Sequence, residues 1–245
     1  MKKSQVLPGL CVALSFVVSA QSAMAQSTIF NIPSTDTVSA KKVYGEFDSL
    51  PQAPGPESEG SRVVLSNPRV VVGLPHNAEV GVNVPMFHTS GNTSAYIEPN
   101  GKVKLFNSDD SGVAVAAGAL FHTALNDREG QDSWGFVYGG VSKKVKNGPR
   151  FHAGPYAVID DDDAFAGPRA GILVGYEQPV HKSISIVADW FSGKNYYGYF
   201  TPGVSIVMPK SGLLNVGYSF GNDSWEDSNA TKNRYLFMYY GMTFN

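Results

Sequence analysis

Hydrophobic and polar residues alternate with a period of two along most of this chain. That period is typical of a β-strand, because successive side chains of a strand point to opposite faces. Beyond the first 25 residues there is no long segment with helical periodicity, and no apolar run of the roughly 18 residues that a membrane helix needs. Glycine and proline divide the alternation into segments. The pattern predicts an all-β fold with twelve strands, at residues 42–50, 62–73, 78–88, 94–106, 112–125, 132–145, 150–159, 168–177, 182–192, 198–207, 213–221 and 233–244.

The last predicted strand shows the alternation most clearly. Its apolar positions are Leu236, Met238, Tyr240, Met242 and Phe244. A run of about 12 residues is long enough to cross a bilayer when it is tilted. This strand resembles the C-terminal strand of Gram-negative outer-membrane β-barrels, which closes the barrel against the first strand and typically ends in an aromatic residue. Here Asn245 follows Phe244.

The resemblance implies a single transmembrane antiparallel β-barrel of the small, porin-like class, located in the outer membrane of a Gram-negative bacterium. It also implies contacts with outer-membrane lipids, with lipopolysaccharide and with the barrel-assembly machinery. The five alternating apolar positions of the last strand would then form the membrane-assembly strand.

The connections between the predicted strands fall into two alternating kinds. Odd-numbered connections are polar and mostly longer, as at 51–61 and 222–232, whereas even-numbered ones are tight, as at 75–77 and 146–149. Outer-membrane barrels place short turns in the periplasm and longer loops outside, and an even number of strands returns both termini to the periplasm. We therefore expect periplasmic N and C termini.

Within the strands, one face is apolar and the other is polar. Ile184 and Ile186 share one face of their strand, whereas Ser185 and Asp189 share the other. Charges at this frequency are too costly to bury in a dry core, so we expect the apolar face to contact lipid and the polar face to line a wet lumen. A secreted β-sandwich or lipocalin-like barrel is the alternative, with these faces reversed.

Two facings stay open at this point. Residues 132–145 offer either Trp134, Phe136 and Tyr138 or Val137, Val141 and Val145 as their outward set. Phe106 lies two and four positions after Lys104 and Lys102, so a regular strand would place it on their face, although an aromatic side chain suits the lipid face better.

The first 25 residues have the three parts of a secretory signal peptide, because two lysines precede an apolar run that ends in Ala23, Met24 and Ala25. We divide the chain into a cleaved signal peptide at 1–25, a periplasmic lead-in at 26–41 that could tuck into the lumen, and an outer-membrane barrel at 42–245. The signal peptide contains two of the 19 basic residues and none of the 21 acidic ones, so the rest of the chain carries 17 basic residues and a net charge of −4. That balance argues against nucleic acid as a partner.

No motif in the sequence supports an enzyme. Residues 217–221 spell the G-x-S-x-G pattern of a hydrolase nucleophile elbow, but they lie within an alternating strand with no helix behind them. Outer-membrane lipid hydrolases use a Ser and a His on adjacent strands that face lipid. His122 and His152 have inward parity and no outward strand Ser beside them. We therefore expect no catalytic residues.

Metal and cofactor signals are also missing from the sequence. Residues 160–163 are four aspartates without the spacing of an EF-hand, and we interpret them as a solvated loop, or one bridged to lipopolysaccharide through divalent ions, rather than a Ca²⁺ site. His76, His88 and His181 occur singly. We expect no metal site and no cofactor.

The inward-facing polar residues form the candidate site. They carry charges of both signs and are Glu46, Arg69, Glu79, Asn83, Glu98, Lys102, Lys104, Arg150, His152, Arg169, Glu177, Asp189 and Asn215. Inward glycines such as Gly175 and Gly217 leave room between them. About eight strands give a lumen filled by side chains and about 16 to 18 give an open channel, so twelve predict a narrow passage. We interpret the set as the pore lining of a narrow channel for small polar or charged solutes. The alternatives are a plugged structural or assembly barrel and, less favoured, an outer-membrane lipid hydrolase.

Overall fold

The computed structural model of this chain describes residues 27–53, 63–126, 133–160, 165–223 and 233–245. The strands are β1 (Val43–Pro51), β2 (Val64–Leu74), β3 (Ala78–Asn83), β4 (Met86–Thr89), β5 (Asn92–Ser108), β6 (Val113–Ala124), β7 (Trp134–Lys144), β8 (Arg150–Ile159), β9 (Ala170–His181), β10 (Ile184–Phe191), β11 (Tyr199–Met208), β12 (Gly212–Gly221) and β13 (Arg234–Phe244). None of the described residues forms a helix that is long and apolar enough to cross a membrane. The predicted signal peptide and residues 161–163 of the acidic loop lie outside the described residues.

The strands form one antiparallel sheet that closes on itself. Apart from β3 and β4, consecutive strands pair around the sheet, and β1 pairs with both β2 and β13. At the closure, Val43 lies opposite Phe244 and Phe47 lies opposite Tyr240. The predicted closure of the C-terminal strand against the first strand is therefore confirmed.

β3 and β4 are two parts of one barrel strand. Both pair with β2 and with β5, and the pairing register is the same on either side of the break at Val84 and Pro85. Proline has no amide hydrogen to donate to the ladder, which interrupts the strand at this point. The closed barrel thus has the twelve strands that the sequence predicts.

The observed strand ends lie within two residues of the predicted ones, with one exception: β9 continues to His181, four residues beyond its predicted end. Tight turns join β2 to β3, β5 to β6, β7 to β8, β9 to β10 and β11 to β12, and we call that end of the barrel the short-turn end. The opposite end is the loop end.

The outer wall of the barrel is apolar. Val70, Val72 and Ile186 are between 36% and 48% exposed, whereas the alternate residues Val71 and Asp189 are buried inside. The apolar face therefore points outward and the polar face points into the lumen.

Local geometry decides which way the side chains of residues 132–145 and of Phe106 point, the two questions that the sequence leaves open. In β7, Trp134 and Phe136 are buried and Val141 is exposed, so the aromatic set faces the lumen. In β5, the pairing register shifts between Lys104 and Phe106, which marks a β-bulge. The extra residue reverses the parity, so Lys104 forms an ion pair in the lumen while Phe106 is 51% exposed on the outer wall.

Candidate functional site

Residues 27–38, which precede β1, lie inside the barrel, and we call them the lumenal segment. Its tip carries Ile29, Phe30 and Ile32, all at most 4% exposed. Phe30 packs edge-to-face against Phe237 of β13, with ring centroids 5.2 Å apart. These three residues form a small apolar patch within the predicted lead-in, and they are the part of the lumenal segment that packs into the barrel core.

Asp189 of β10 binds the tip of the lumenal segment. Its Oδ2 atom accepts hydrogen bonds from three successive backbone N–H groups, those of residues 30–32, at 2.9, 2.6 and 2.9 Å. The Asn215 amide of β12 and the Tyr239 hydroxyl of β13 both donate to the carbonyl oxygen of Ile29 at 2.9 Å. Hydrogen bonds to an ionised acceptor are roughly twice as strong as neutral ones. Asp189 therefore holds three successive backbone groups of the tip through one carboxylate oxygen.

The opposite wall binds the start of the lumenal segment through charged side chains. Lys102 of β5 pairs with Glu79 of β3 at 3.0 Å, and it donates to the Ser27 carbonyl oxygen at 2.9 Å. Arg69 of β2 pairs with Glu46 of β1 at 3.2 Å and donates to the Ser27 hydroxyl at 3.1 Å. Buried charges of this kind are tolerated because each has a partner of opposite sign.

Asp36 ties the lumenal segment to the short-turn end. Its carboxylate pairs with Arg150 of β8 and with Lys104, 3.3 Å away. Beside it, the hydroxyls of Thr35 and Ser142 lie 2.6 Å apart. Burial alone would raise the pKa of Asp36, but the hydrogen bond and charge of Arg150, with the charge of Lys104, hold that pKa well below its usual range. Asp36 is therefore ionised at neutral pH.

Inward glycines provide the room that the lumenal segment occupies. A Cβ atom on Gly175 would lie 2.5 Å from Cδ1 of Ile29 and 2.7 Å from Cδ1 of Ile32. One on Gly217 would lie 2.7 Å from the ring of Phe30. The space that the sequence assigns to a passage is filled by the lumenal segment at these positions.

Two cavities lie on either side of the lumenal segment. The larger, of about 500 Å³, is lined by Thr28 and Asn31 and reaches the exposed residues Lys194 and Asp223, so it opens at the loop end. The smaller, of about 330 Å³, lies at the short-turn end and is lined mostly by polar residues, including Asp36 and Lys104. A volume of several hundred cubic ångströms suits a small organic molecule. The lumenal segment separates the two cavities.

Ten of the thirteen predicted pore-lining residues form a network around the lumenal segment. Those that hydrogen bond or pair with it are Arg69, Glu79, Lys102, Lys104, Arg150, Asp189 and Asn215. Glu46, His152 and Glu177 pair with one another or with these residues, and Asn83 and Glu98 share a hydrogen bond on the cavity wall. Arg169 is set apart, because it pairs with Asp160 at the loop end with its side chain 40% exposed.

The sequence did not identify the partners on the lumenal segment itself. The stretch that contains Ser27, Thr35 and Asp36 has no strand periodicity, so the alternation rule does not predict which way these side chains point. The only local signal was the small apolar patch around Phe30 within a polar lead-in.

The residues weighed for hydrolase chemistry are engaged inside the lumen. His122 Nδ1 lies 2.8 Å from a Glu98 oxygen, and His152 Nε2 lies 2.6 Å from a Glu177 oxygen. Ser219 of the G-x-S-x-G pattern is 1% exposed within β12. In the part of the chain that the structure describes, no group of three or more His, Cys, Asp or Glu side chains is placed to hold a metal ion.

No protein-family pattern and no curated protein matches this sequence. Among solved structures, the barrel is similar to an active-site mutant of outer membrane phospholipase A from Escherichia coli, with a TM-score of 0.50 and 12% identity over 85% of this chain and 92% of that chain. It is also similar to the translocator domain of the autotransporter NalP from Neisseria meningitidis, with a TM-score of 0.40 and 10% identity over 83% of this chain and 88% of that one. A mutant porin from Rh. blastica matches with a TM-score of 0.35 and 8% identity over 82% of this chain and 99% of its own.

The closed twelve-stranded sheet and the first of these likenesses define the class: the chain has the fold of the outer-membrane β-barrels. A likeness at 12% identity shows the fold alone, and one fold of this kind serves many functions. The function therefore has to be inferred from the site.

Proposed function

We propose that this chain is a barrel of the Gram-negative outer membrane whose lumen is a pathway for small polar solutes, closed at rest by the lumenal segment. The observation that supports this most is the position of the segment between two cavities, bound from opposite walls by Asp189 and by the Lys102–Glu79 pair. Outer-membrane lipids, lipopolysaccharide and the assembly machinery are the partners that this location entails.

The packing of the tip indicates how rarely the pathway opens. Burial of a large apolar side chain stabilises by about 1.5–3 kcal/mol, so Ile29, Phe30 and Ile32 together contribute about 4.5–9 kcal/mol. Each 1.4 kcal/mol is about a tenfold change in an equilibrium, so these three residues alone favour the closed state by roughly a thousandfold or more. The wild-type barrel should therefore open briefly and seldom.

The wall is suited to a lumen without the segment. The Arg69–Glu46 and Lys102–Glu79 ion pairs are formed within the wall, so departure of the lumenal segment leaves none of these four charges isolated. The inward glycines would then border open space. These two ion pairs stay formed in both states, which supports a gated pathway over a permanently plugged structural barrel.

A reversible lock tests this proposal. The Thr35 and Ser142 hydroxyl oxygens lie 2.6 Å apart, so sulfur atoms at those positions would need to approach by only about 0.5 Å to reach the disulfide length of about 2.05 Å. In proteoliposomes, the oxidised Thr35→Cys/Ser142→Cys protein should admit a small sugar at the background rate, and reduction should restore the wild-type rate. A protein without residues 27–38 should admit it faster than wild type.

The single variants Thr35→Cys and Ser142→Cys are the controls, and neither should respond to oxidation. Equal uptake by the locked and reduced double variant, with the disulfide verified by mass, would show that the lumenal segment is not the gate. Background uptake by the folded protein without residues 27–38 would instead favour the plugged structural barrel.

A further inference from the structure

Three hydroxyl and imidazole side chains form a continuous hydrogen-bonded chain across β2, β4 and β5. The Ser66 Oγ atom lies 2.8 Å from His88 Nε2, and His88 Nδ1 lies 3.1 Å from Thr93 Oγ1. His88 lies directly opposite Thr93 in the register of β4 with β5. Ser66 lies opposite Met86, so it is a diagonal neighbour of His88.

All three side chains belong to the outer wall. In β2 the alternate residues Leu65 and Asn67 line the large cavity, so Ser66 between them points outward. Phe87 of β4 also lines that cavity, which places His88 on the outer face. The cluster lies beside the turn that joins β4 to β5, at the loop end of the barrel.

The surroundings make this cluster unusual. The outer wall is mostly apolar. A polar or ionisable side chain that faces lipid is costly unless it has a partner, and such residues in membrane proteins commonly mark functional sites. Ser142 and His152 also lie opposite each other, but Ser142 is 1% exposed in the lumen and bonds Thr35 and Arg150 instead. Ser66, at 8% exposure, keeps some access from outside.

The hydrogen bonds fit a nucleophile and its base. With a proton on Nδ1, His88 donates to the Thr93 hydroxyl, and Nε2 is free to accept the proton of Ser66. A serine bonded to a histidine that a third group orients is the arrangement that activates a serine nucleophile. Sequence parity missed it because Ser66 and His88 lie on separate strands and His88 stands alone in the sequence.

We propose that Ser66, His88 and Thr93 form an acyl-ester hydrolase site on the outer wall, with Ser66 as nucleophile, His88 as general base and Thr93 as a positioning residue. Its place on the lipid-facing wall at the loop end points to the acyl esters of membrane lipids as substrates. This inference is independent of the gating proposed for the lumen.

The reaction proceeds in two balanced steps. Ser66 Oγ attacks the ester carbonyl carbon while its proton moves to His88 Nε2, and that proton then passes to the alcohol oxygen as the ester C–O bond breaks. Water next attacks the acyl carbon on Ser66, gives one proton to His88 and yields the free carboxylic acid. His88 returns that proton to Ser66 Oγ as the acyl–serine bond breaks.

Purified folded protein in detergent provides the test. A fluorophosphonate probe should label the wild type on Ser66, as located by mass spectrometry, and mixed micelles of a fluorogenic phospholipid should be hydrolysed. Ser66→Ala should abolish both. His88→Gln should slow hydrolysis by about 100-fold or more, the range that a general base contributes. Thr93→Val should lower kcat by up to about 100-fold with little change in KM, and Thr93→Ser should restore it.

Ser183→Ala is the matched control, because the Ser183 hydroxyl also contacts a histidine, His181 Nδ1 at 3.3 Å, but in an exposed turn. It should keep full labelling and hydrolysis. The locked Thr35→Cys/Ser142→Cys protein should also hydrolyse lipid at the wild-type rate, which separates this site from the gate. Absence of labelling and hydrolysis in the folded wild type, or activity that survives Ser66→Ala, would overturn the proposal.

Discussion

Replacing Asp189 with Asn is the sharpest test of how the tip of the lumenal segment is held. The change keeps the shape of the side chain and one carbonyl acceptor but removes the charge that receives three backbone N–H groups. Hydrogen bonds to a charged group contribute about 1.5–3 kcal/mol, against about 0.5–1.5 kcal/mol for neutral ones. Three bonds therefore weaken by about 3 kcal/mol in total.

Part of that loss is offset, because the neutral amide is easier to bury than the carboxylate when the segment closes over it. We expect a net weakening of about 1–3 kcal/mol, which raises the open fraction by roughly 5-fold to 150-fold. Single-channel recording in planar bilayers at neutral pH measures this fraction directly. Heat-modifiable migration on gels verifies that the variant is assembled.

Asp109→Asn is the matched control, because Asp109 is exposed in the tight turn between β5 and β6. It should leave the open fraction unchanged. An Asp189→Asn barrel that opens no more often than wild type would refute the inference that this carboxylate anchors the closed state.

Three further predictions concern the segment and the last strand. The pKa of Asp36 is lowered when the segment is closed, so the ionised carboxylate stabilises closure. That stabilisation is complete at pH values above 3.8, the ordinary pKa of the group, and it is lost as the pH falls below 3.8 toward the lowered pKa. Openings should become more frequent in acid, and Asp36→Asn should raise them at neutral pH and remove part of that acid response. Gly175→Leu should displace the tip and increase openings, whereas Gly139→Leu, which would meet no atom within 4 Å of its Cβ, should not. Phe244→Ser, on the outer wall at 53% exposure, should lower the amount of heat-modifiable barrel in the outer membrane more than Phe237→Ser, which is 2% exposed. Equal losses would contradict that facing.

The barrel itself could be predicted from the sequence because its main signal is local. A period of two, repeated between turn residues, specifies the strands, and their even number with an alternating last strand specifies closure. Parity left two facings undecided, that of Phe106, where the backbone departs from a regular strand, and that of residues 132–145, where both faces carry apolar side chains. The bulge after Lys104 turns Phe106 outward, and the residue pattern of a single strand does not predict a bulge.

The lumen could be predicted only in part. Parity placed Asp189 and Lys102 on the inner face, but their partners are set by contacts between distant parts of the chain. Asp189 binds residues 30–32, about 158 positions earlier, and Lys102 binds Ser27, 75 positions earlier. A segment without periodicity gives no sign of which wall it meets. The sequence therefore indicated charges of both signs lining a narrow channel, where the structure has those charges paired around a segment.

Conductance with and without the lumenal segment tests the central claim most directly. Wild-type protein and a variant lacking residues 27–38 would be reconstituted separately in planar bilayers, after heat-modifiable migration has verified that both are folded. We expect rare, brief openings from the wild type and a sustained open level with small, discrete steps from the shortened protein. A wild-type barrel that is continuously open, or a folded shortened barrel that conducts no more than wild type, would contradict closure of the lumen by this segment.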